Sequence, residues 1–392
     1  MPDRASSARR LTLALGLHQL LAWATSFYLP AIVMGAAARD LGTAPEPLLA
    51  AFSGALLVAG GCAPAIGGWI GRAGGRRPMA CGALLLASGL ALLAASSGLA
   101  VWWLGWAVLG SGMALSLYDA AFATAGVALG TGTAPAITGI ALIGGFASTV
   151  GWPLGSLLLP ELGWRGLLLL YAGLHLVGGL PLILLAVPRS PARHGAPVGA
   201  TVAGRRRDGA QLACLGAFFA TRWFITSAIA AHILVLTTGL GLSGSQAVVA
   251  AMLIGPGQVA GRLLDWLANP VLSPLSRARV GAVLFPAGAL LLLSGVPGAG
   301  FGFMVLYGMS NGILTINRGT LPILVLGPQG YANRLGRLAL PTMVAQAAAP
   351  TLTASLVAAT TASGALLLAG AVAAAAALLL VPLRPFHGDE SR

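Results

Sequence analysis

Three charged side chains stand where charge is costly. Asp119, Arg222 and Arg318 each fall inside a long apolar stretch. A charge near the centre of a bilayer costs at least about 2.5–3.5 kcal/mol on insertion scales, so it faces a cavity or a partner. A guanidinium presents a rigid fork of donors that matches planar oxyanions bidentately. A buried carboxylate beside arginines can carry a proton or neutralise one of them. Arg222 and Arg318 therefore read as an anion-binding pair, with Asp119 as counter-charge or proton carrier. Tyr118, Asn311 and Asn317 are candidates for additional hydrogen bonds, and His18 for proton handling. The competing reading is structural: a buried Asp–Arg bridge, or polar side chains that only join helices.

The elements that must position these groups follow from composition. Hydrophobic residues make up 57% of the 392-residue chain and charged residues 8%, whereas a soluble domain carries roughly 25% charged residues. The net charge of +13 does not point to nucleic acid. The arginines sit at the ends of apolar stretches, without an aromatic-interleaved basic surface. All 22 basic residues are arginine, so there is no lysine for a phosphate-cradling G-x-x-x-x-G-K-[ST] loop, and direct drive by ATP is excluded. Neither H-E-x-x-H nor G-x-S-x-G occurs and the five histidines are scattered, which argues against an enzyme. Cys62, Cys81 and Cys214 are far apart, so neither a disulfide framework nor a thiol metal site is expected. No cofactor is expected.

Apolar segments predict helices over 11–37, 47–70, 79–95, 101–129, 134–159, 164–187, 211–236, 245–267, 280–293, 301–326, 338–358 and 362–381. Between the sixth and seventh lies a basic, Pro/Gly-rich stretch with Arg189, Arg193, Arg205, Arg206 and Arg207, which reads as a solvated linker. The expectation is an all-α integral membrane protein of twelve transmembrane helices in two six-helix bundles. These are residues 1–187, a cytoplasmic linker at 188–210, and 211–392. Odd-numbered loops hold only Arg39 and Arg165, while even-numbered loops and the termini hold the remaining arginines outside the helices. Positive charge stays on the cytoplasmic side, so both termini and the linker are placed there. Trp102 and Trp103, near the outer end of helix 4, read as interfacial anchors.

Gly67-x-x-x-Gly71-Arg72 closes helix 2, and Gly257-x-x-x-Gly261-Arg262 recurs 190 positions later in helix 8. Small residues four apart let helix backbones approach closely. With twelve helices and a basic 2–3 loop, the chain resembles the major facilitator superfamily (MFS). Gly67–Pro78 looks like the signature of that family's 2–3 loop. Arg72, Gly74, Arg76 and Arg77 match it, and Gly71 replaces the usual Asp. Asp265, one turn after Arg262, offers a related contact in the second half. Gly163-Trp164-Arg165 matches a common opening of helix 6, and Gly151-Trp152-Pro153-Leu154-Gly155 partly resembles the helix 5 pattern of antiporters. Trp106 stands where many members carry an arginine. The resemblance implies that helices 1, 4, 7 and 10 line a central cavity, which is where Asp119, Arg222 and Arg318 fall. It implies a secondary transporter working by alternating access. We expect a monomer in the lipid bilayer of a bacterial inner membrane, moving a small organic or inorganic anion, coupled to protons. The alternative is efflux of a drug or metalloid.

Overall fold

The computed structural model describes residues 2–189, 202–239, 242–294 and 296–386. Among these the chain is helical and contains no strand. A backbone in hydrocarbon has no water to bond to, so each segment must satisfy its own amides, and a helix does that within one segment.

The first half comprises α1 (Pro2–Thr25), α2 (Pro30–Asp40), α3 (Pro45–Ala73), α4 (Arg76–Ala94), α5 (Leu99–Ser116), α6 (Tyr118–Leu129), α7 (Thr133–Gly144), α8 (Ala147–Leu174) and α9 (Leu180–Ala186). A single π turn, His175–Gly179, joins α8 to α9. The second half comprises α10 (Val202–Gly239), α11 (Gly244–Met252), α12 (Ile254–Ala268), α13 (Pro274–Leu293), α14 (Ala299–Leu326), α15 (Tyr331–Ala359) and α16 (Ala362–Leu378). Nine helical stretches among the described residues are long and apolar enough to cross a membrane, and α16 is a shorter apolar helix. One of the nine, Leu99–Ala186, spans 88 residues. It reverses near Gly130–Gly132 and again at Gly163, and so supplies three crossings, giving twelve in all. At Gly163 φ is 66° and ψ 168°, a conformation that glycine adopts without steric cost.

The structure differs from the sequence expectation in detail. Helix 1 is two pieces, α1 and α2, separated by a turn before Pro30. Helix 4 breaks at Leu117, where ψ is −175°. Helix 5 breaks at Gly145–Phe146 and helix 8 at Leu253. α10 begins at Val202, inside the segment expected to be linker, and residues 190–201 of that segment lie outside the described residues. α13 and α15 start earlier than their hydropathy suggests, at Pro274 and Tyr331. Both starts carry arginines that a hydropathy window counts against a helix. Trp102 is not an interfacial anchor. It is fully buried and donates from Nε1 to the Leu48 carbonyl at 3.1 Å, whereas Trp103 is 43% exposed.

The chain divides into two compact units. One holds residues 1–196 with 330–340, and the other 197–329 with 341–392. Within each, helices meet through glycine. In the first unit, Gly110 lies against the Ala55 main chain and Gly89 against Leu109, with no room for a methyl group. In the second unit, Gly261 lies against Met309 and Gly312 against Gln258, equally tightly.

Candidate functional site

The second unit places Arg222 at the seam between α10 and α14. Its Nη2 donates to Asn311 Oδ1 at 2.9 Å, and Thr226 Oγ1, one turn along α10, lies 2.9 Å from the same oxygen. The guanidinium carbon stands 5.2 Å from the Phe285 ring centre on α13 and 5.5 Å from that of Tyr307 on α14. The Tyr307 hydroxyl donates to the Thr226 carbonyl at 3.3 Å. Arg222 is 3% exposed, and its Nε and Nη1 are buried without a hydrogen-bond partner. Aromatic faces attract a cation through their quadrupole, but they do not supply the oxygen lone pairs that a guanidinium fork takes. Arg318, 5% exposed, lies with its guanidinium carbon 4.9 Å from the Trp223 ring centre. Both arginines are thus held on the α10–α14 seam.

Asn317 goes elsewhere. It donates to Asp265 Oδ1 at 3.1 Å, while Arg277 Nη1 donates to Asp265 Oδ2 at 3.0 Å and to the Asp265 carbonyl at 2.7 Å. This brace joins α12, α13 and α14 and is almost completely buried. Asp265 therefore pairs with Arg277 at the start of α13, while Arg262 reaches Gln258 Oε1 at 3.2 Å.

In the first unit, the break in helix 4 sets the geometry. Tyr118 and Asp119 form the first turn of α6, and a helix N-terminus favours negative charge. The Ser116 carbonyl before the break accepts from Gln19 Nε2 at 2.6 Å, and Gln19 Oε1 accepts from Trp23 Nε1 at 3.2 Å. The Trp23 and Tyr118 rings lie 5.1 Å apart. Trp106 is fully buried beside Phe52 and Trp102. His18 faces His175, with ring centres 6.4 Å apart.

The loop-motif residues divide by role. Gly67 packs against Ala332 and Gly336 within the first unit, and Gly71 against Ala332. Gly74, with φ 76°, ends α3, and Arg76 and Arg77 open α4. Arg72 is exposed one turn past Gly68. Gly257 and Gly261 also meet a neighbouring backbone, but on α14. The recurrence in sequence is thus one device used against two different partners.

Sequence reasoning did not single out Gln19, Thr226, Phe285 or Tyr307. The available signal was helical spacing: Arg222 with Thr226 and Tyr307 with Asn311 are each four residues apart, on one face of a helix. Phe285 carried no signal, because it looks like any core aromatic.

The fold is similar to that of solved transporters. The crystal structure of the human organic anion transporter MFSD10 (TETRAN) aligns at TM-score 0.76 with 18% identity, covering 95% of this chain and 99% of that one. The MFS transporter FucP in the outward conformation aligns at 0.71 with 15% identity, covering 96% and 99%. A variant of the E. coli fucose:proton symporter FucP aligns at 0.70 with 16% identity, covering 95% and 97%. No curated protein sequence matches the chain. The sequence profile of the Major Facilitator Superfamily matches residues 14–327, most of the chain, and with twelve crossings and these structural neighbours it shows that this multi-pass membrane protein belongs to that transporter family.

Proposed function

We propose that the chain is a secondary transporter that binds a small organic or inorganic anion at Arg222 and moves it by alternating access, coupled to protons. The observation that carries the reading is Arg222 itself, a buried guanidinium with two unpartnered nitrogens. No carboxylate is bonded to it among the described residues. An anionic ligand supplies the missing lone pairs and the missing charge together. Arg318, a further cation on the same seam, adds attraction, and Asn311 orients the first guanidinium. Asp119 is the first unit's candidate for the coupling proton. The likeness to an organic anion transporter and to a fucose:proton symporter supports the reading at the level of fold. On the arginine distribution we place both termini on the cytoplasmic side.

A second reading, export of a drug or metalloid, is favoured by the helix 5 Gly-Pro pattern. Gly151 packs on Ala24 and Gly155 on Ile32, as a close helix seam requires. One screen tests both: thermal unfolding of purified protein against anions, drugs and metalloids. A bound ligand at a hundredfold excess over Kd stabilises by about 2.7 kcal/mol. Stabilisation by an anion that Arg222→Ala abolishes supports the first reading. Stabilisation only by neutral compounds, equal in wild type and Arg222→Ala, rejects it.

A further inference from the structure

The first unit buries two histidines that the anion site does not use. His18 on α1 and His175 at the head of the π turn are both fully buried. Neither nitrogen of His18 has a hydrogen-bond partner, nor does Nδ1 of His175. The remaining nitrogen, His175 Nε2, lies 2.7 Å from Thr25 Oγ1. That hydroxyl already donates its single proton to the Leu21 carbonyl at 2.9 Å. With the hydroxyl proton on that carbonyl it accepts from His175, so that Nε2 carries hydrogen and Nδ1 offers a lone pair.

The place to which Nδ1 points is defined by a glycine. A methyl group on Gly179 would lie 3.2 Å from His175 Nδ1 and 3.5 Å from both His18 Nδ1 and Leu21 Cδ2. Both ring nitrogens thus face one small notch, kept open by the lack of a side chain at the end of the π turn. Single π turns recur at functional sites. A buried water needs two or more polar partners, and the two Nδ1 atoms beside Gly179 supply them.

We infer that one water occupies this notch and joins His18 and His175 into a site for a single proton. With the proton on His18, its Nδ1–H donates to the water and the water donates to the lone pair of His175 Nδ1. Transfer through the water breaks the His18 Nδ1–H bond and forms a His175 Nδ1–H bond, and the pair keeps one positive charge. A second proton would put two cations side by side in a low-dielectric interior, which disfavours both. The π turn packs on α1, α4, α8 and α9, and α1 also on α5, α6 and α7. The titratable groups of these elements include Arg9 and Arg10 on α1, Arg76, Arg77 and Cys81 on α4, Tyr118 and Asp119 on α6, and Glu161, Arg165 and Tyr171 on α8. Within these elements the two histidines are each other's ring neighbour, with centres 6.4 Å apart.

The inference goes beyond the anion site, and its test needs no substrate. Full-length protein with nitrogen-15 histidines, in lipid nanodiscs, is titrated by NMR from about pH 8 down to about pH 3, because burial holds an imidazole neutral below its ordinary range. His18→Gln and His175→Gln assign the two rings. In the wild type both rings are expected to change together, with one midpoint and one proton between them. Gly179→Ala fits the helix and fills the notch, so it uncouples the rings while the unfolding temperature holds. In His18→Gln, which keeps Gly179, His175 stays neutral over the same range. Separate midpoints in the wild type, no titration of either ring, or coupled titration persisting in Gly179→Ala would each overturn the site.

Discussion

Asp265 and Arg222 are two buried charges in one unit, and the fold treats them oppositely. Asp265 is 2% exposed and has both carboxylate oxygens taken, by Arg277 and Asn317. Arg222 is 3% exposed and has one amide oxygen, two ring faces and two nitrogens without partners. The first is an ion pair with its counter-charge in place, although Arg277 Nε and Asn317 Oδ1 in the same brace have no hydrogen-bond partner. The second is an incomplete set of bonds that a ligand can finish. Burial and unmet bonding occur in both; what separates them is the counter-charge, which Asp265 has and Arg222 lacks among the described residues.

The largest effect should come from breaking the brace. Asp265→Ala strands Arg277, itself 5% exposed. Removing one partner of a buried pair costs about 3–5 kcal/mol, so the unfolding temperature in detergent should drop sharply. Arg222→Met should behave in the opposite way. It replaces an uncompensated charge with an apolar side chain, so stability should hold to within about 1 kcal/mol, while the ligand-induced stabilisation of about 2.7 kcal/mol at a hundredfold excess disappears. If Arg222→Met unfolds as readily as Asp265→Ala, the contrast is gone. Gly261→Val should cost about 1–3 kcal/mol by overpacking the α12–α14 seam. It should weaken the brace while anion stabilisation through Arg222 survives, which calorimetry of the variant with ligand would show.

The smallest effect concerns a bond made necessary by proline. Pro350 has no N–H, so the Gln346 carbonyl in α15 lacks its helical donor, and Ser227 Oγ donates to it at 2.9 Å. Ser227→Ala should cost about 1 kcal/mol. The same change made in a Pro350→Ala background should cost less, because the helix then supplies the donor itself. A double-mutant cycle read by thermal unfolding measures the difference.

Much of the fold was legible because a bilayer permits few backbone solutions. Apolar length and the placement of arginines were enough to count twelve crossings, and Gly163-Trp164-Arg165 marked a reversal correctly. Helix breaks were not legible at Leu117 or Leu253, because neither residue type forbids a helix; packing against neighbours decides there. For the candidate site, sequence singled out Arg222, Arg318 and Asn311 from charge and polarity in apolar surroundings, and folding bonds Arg222 to Asn311. Sequence grouped Asn317 with them because one helix carries all three of Asn311, Asn317 and Arg318. Six residues separate Asn311 from Asn317, nearly two turns but well short of the same azimuth, and Asn317 turns to Asp265. Sequence did not bring His18 and His175 together, because the pairing spans much of the first unit's sequence and only folding brings the rings close.

The reversal at Gly163 has a mechanical consequence. Two crossings meet there without an intervening loop, so the hairpin has no slack. Arg165 is bonded to Asp40 and to the Ser96 carbonyl, and Trp164 Nε1 to the same Asp40 carboxylate. The ends of α2 and α4 are thereby moored to the hairpin at one rim of the first unit. A push on any one of these helices at that rim is felt by the others at once, so this edge should travel as a single plate, and bending must be taken up further along the helices.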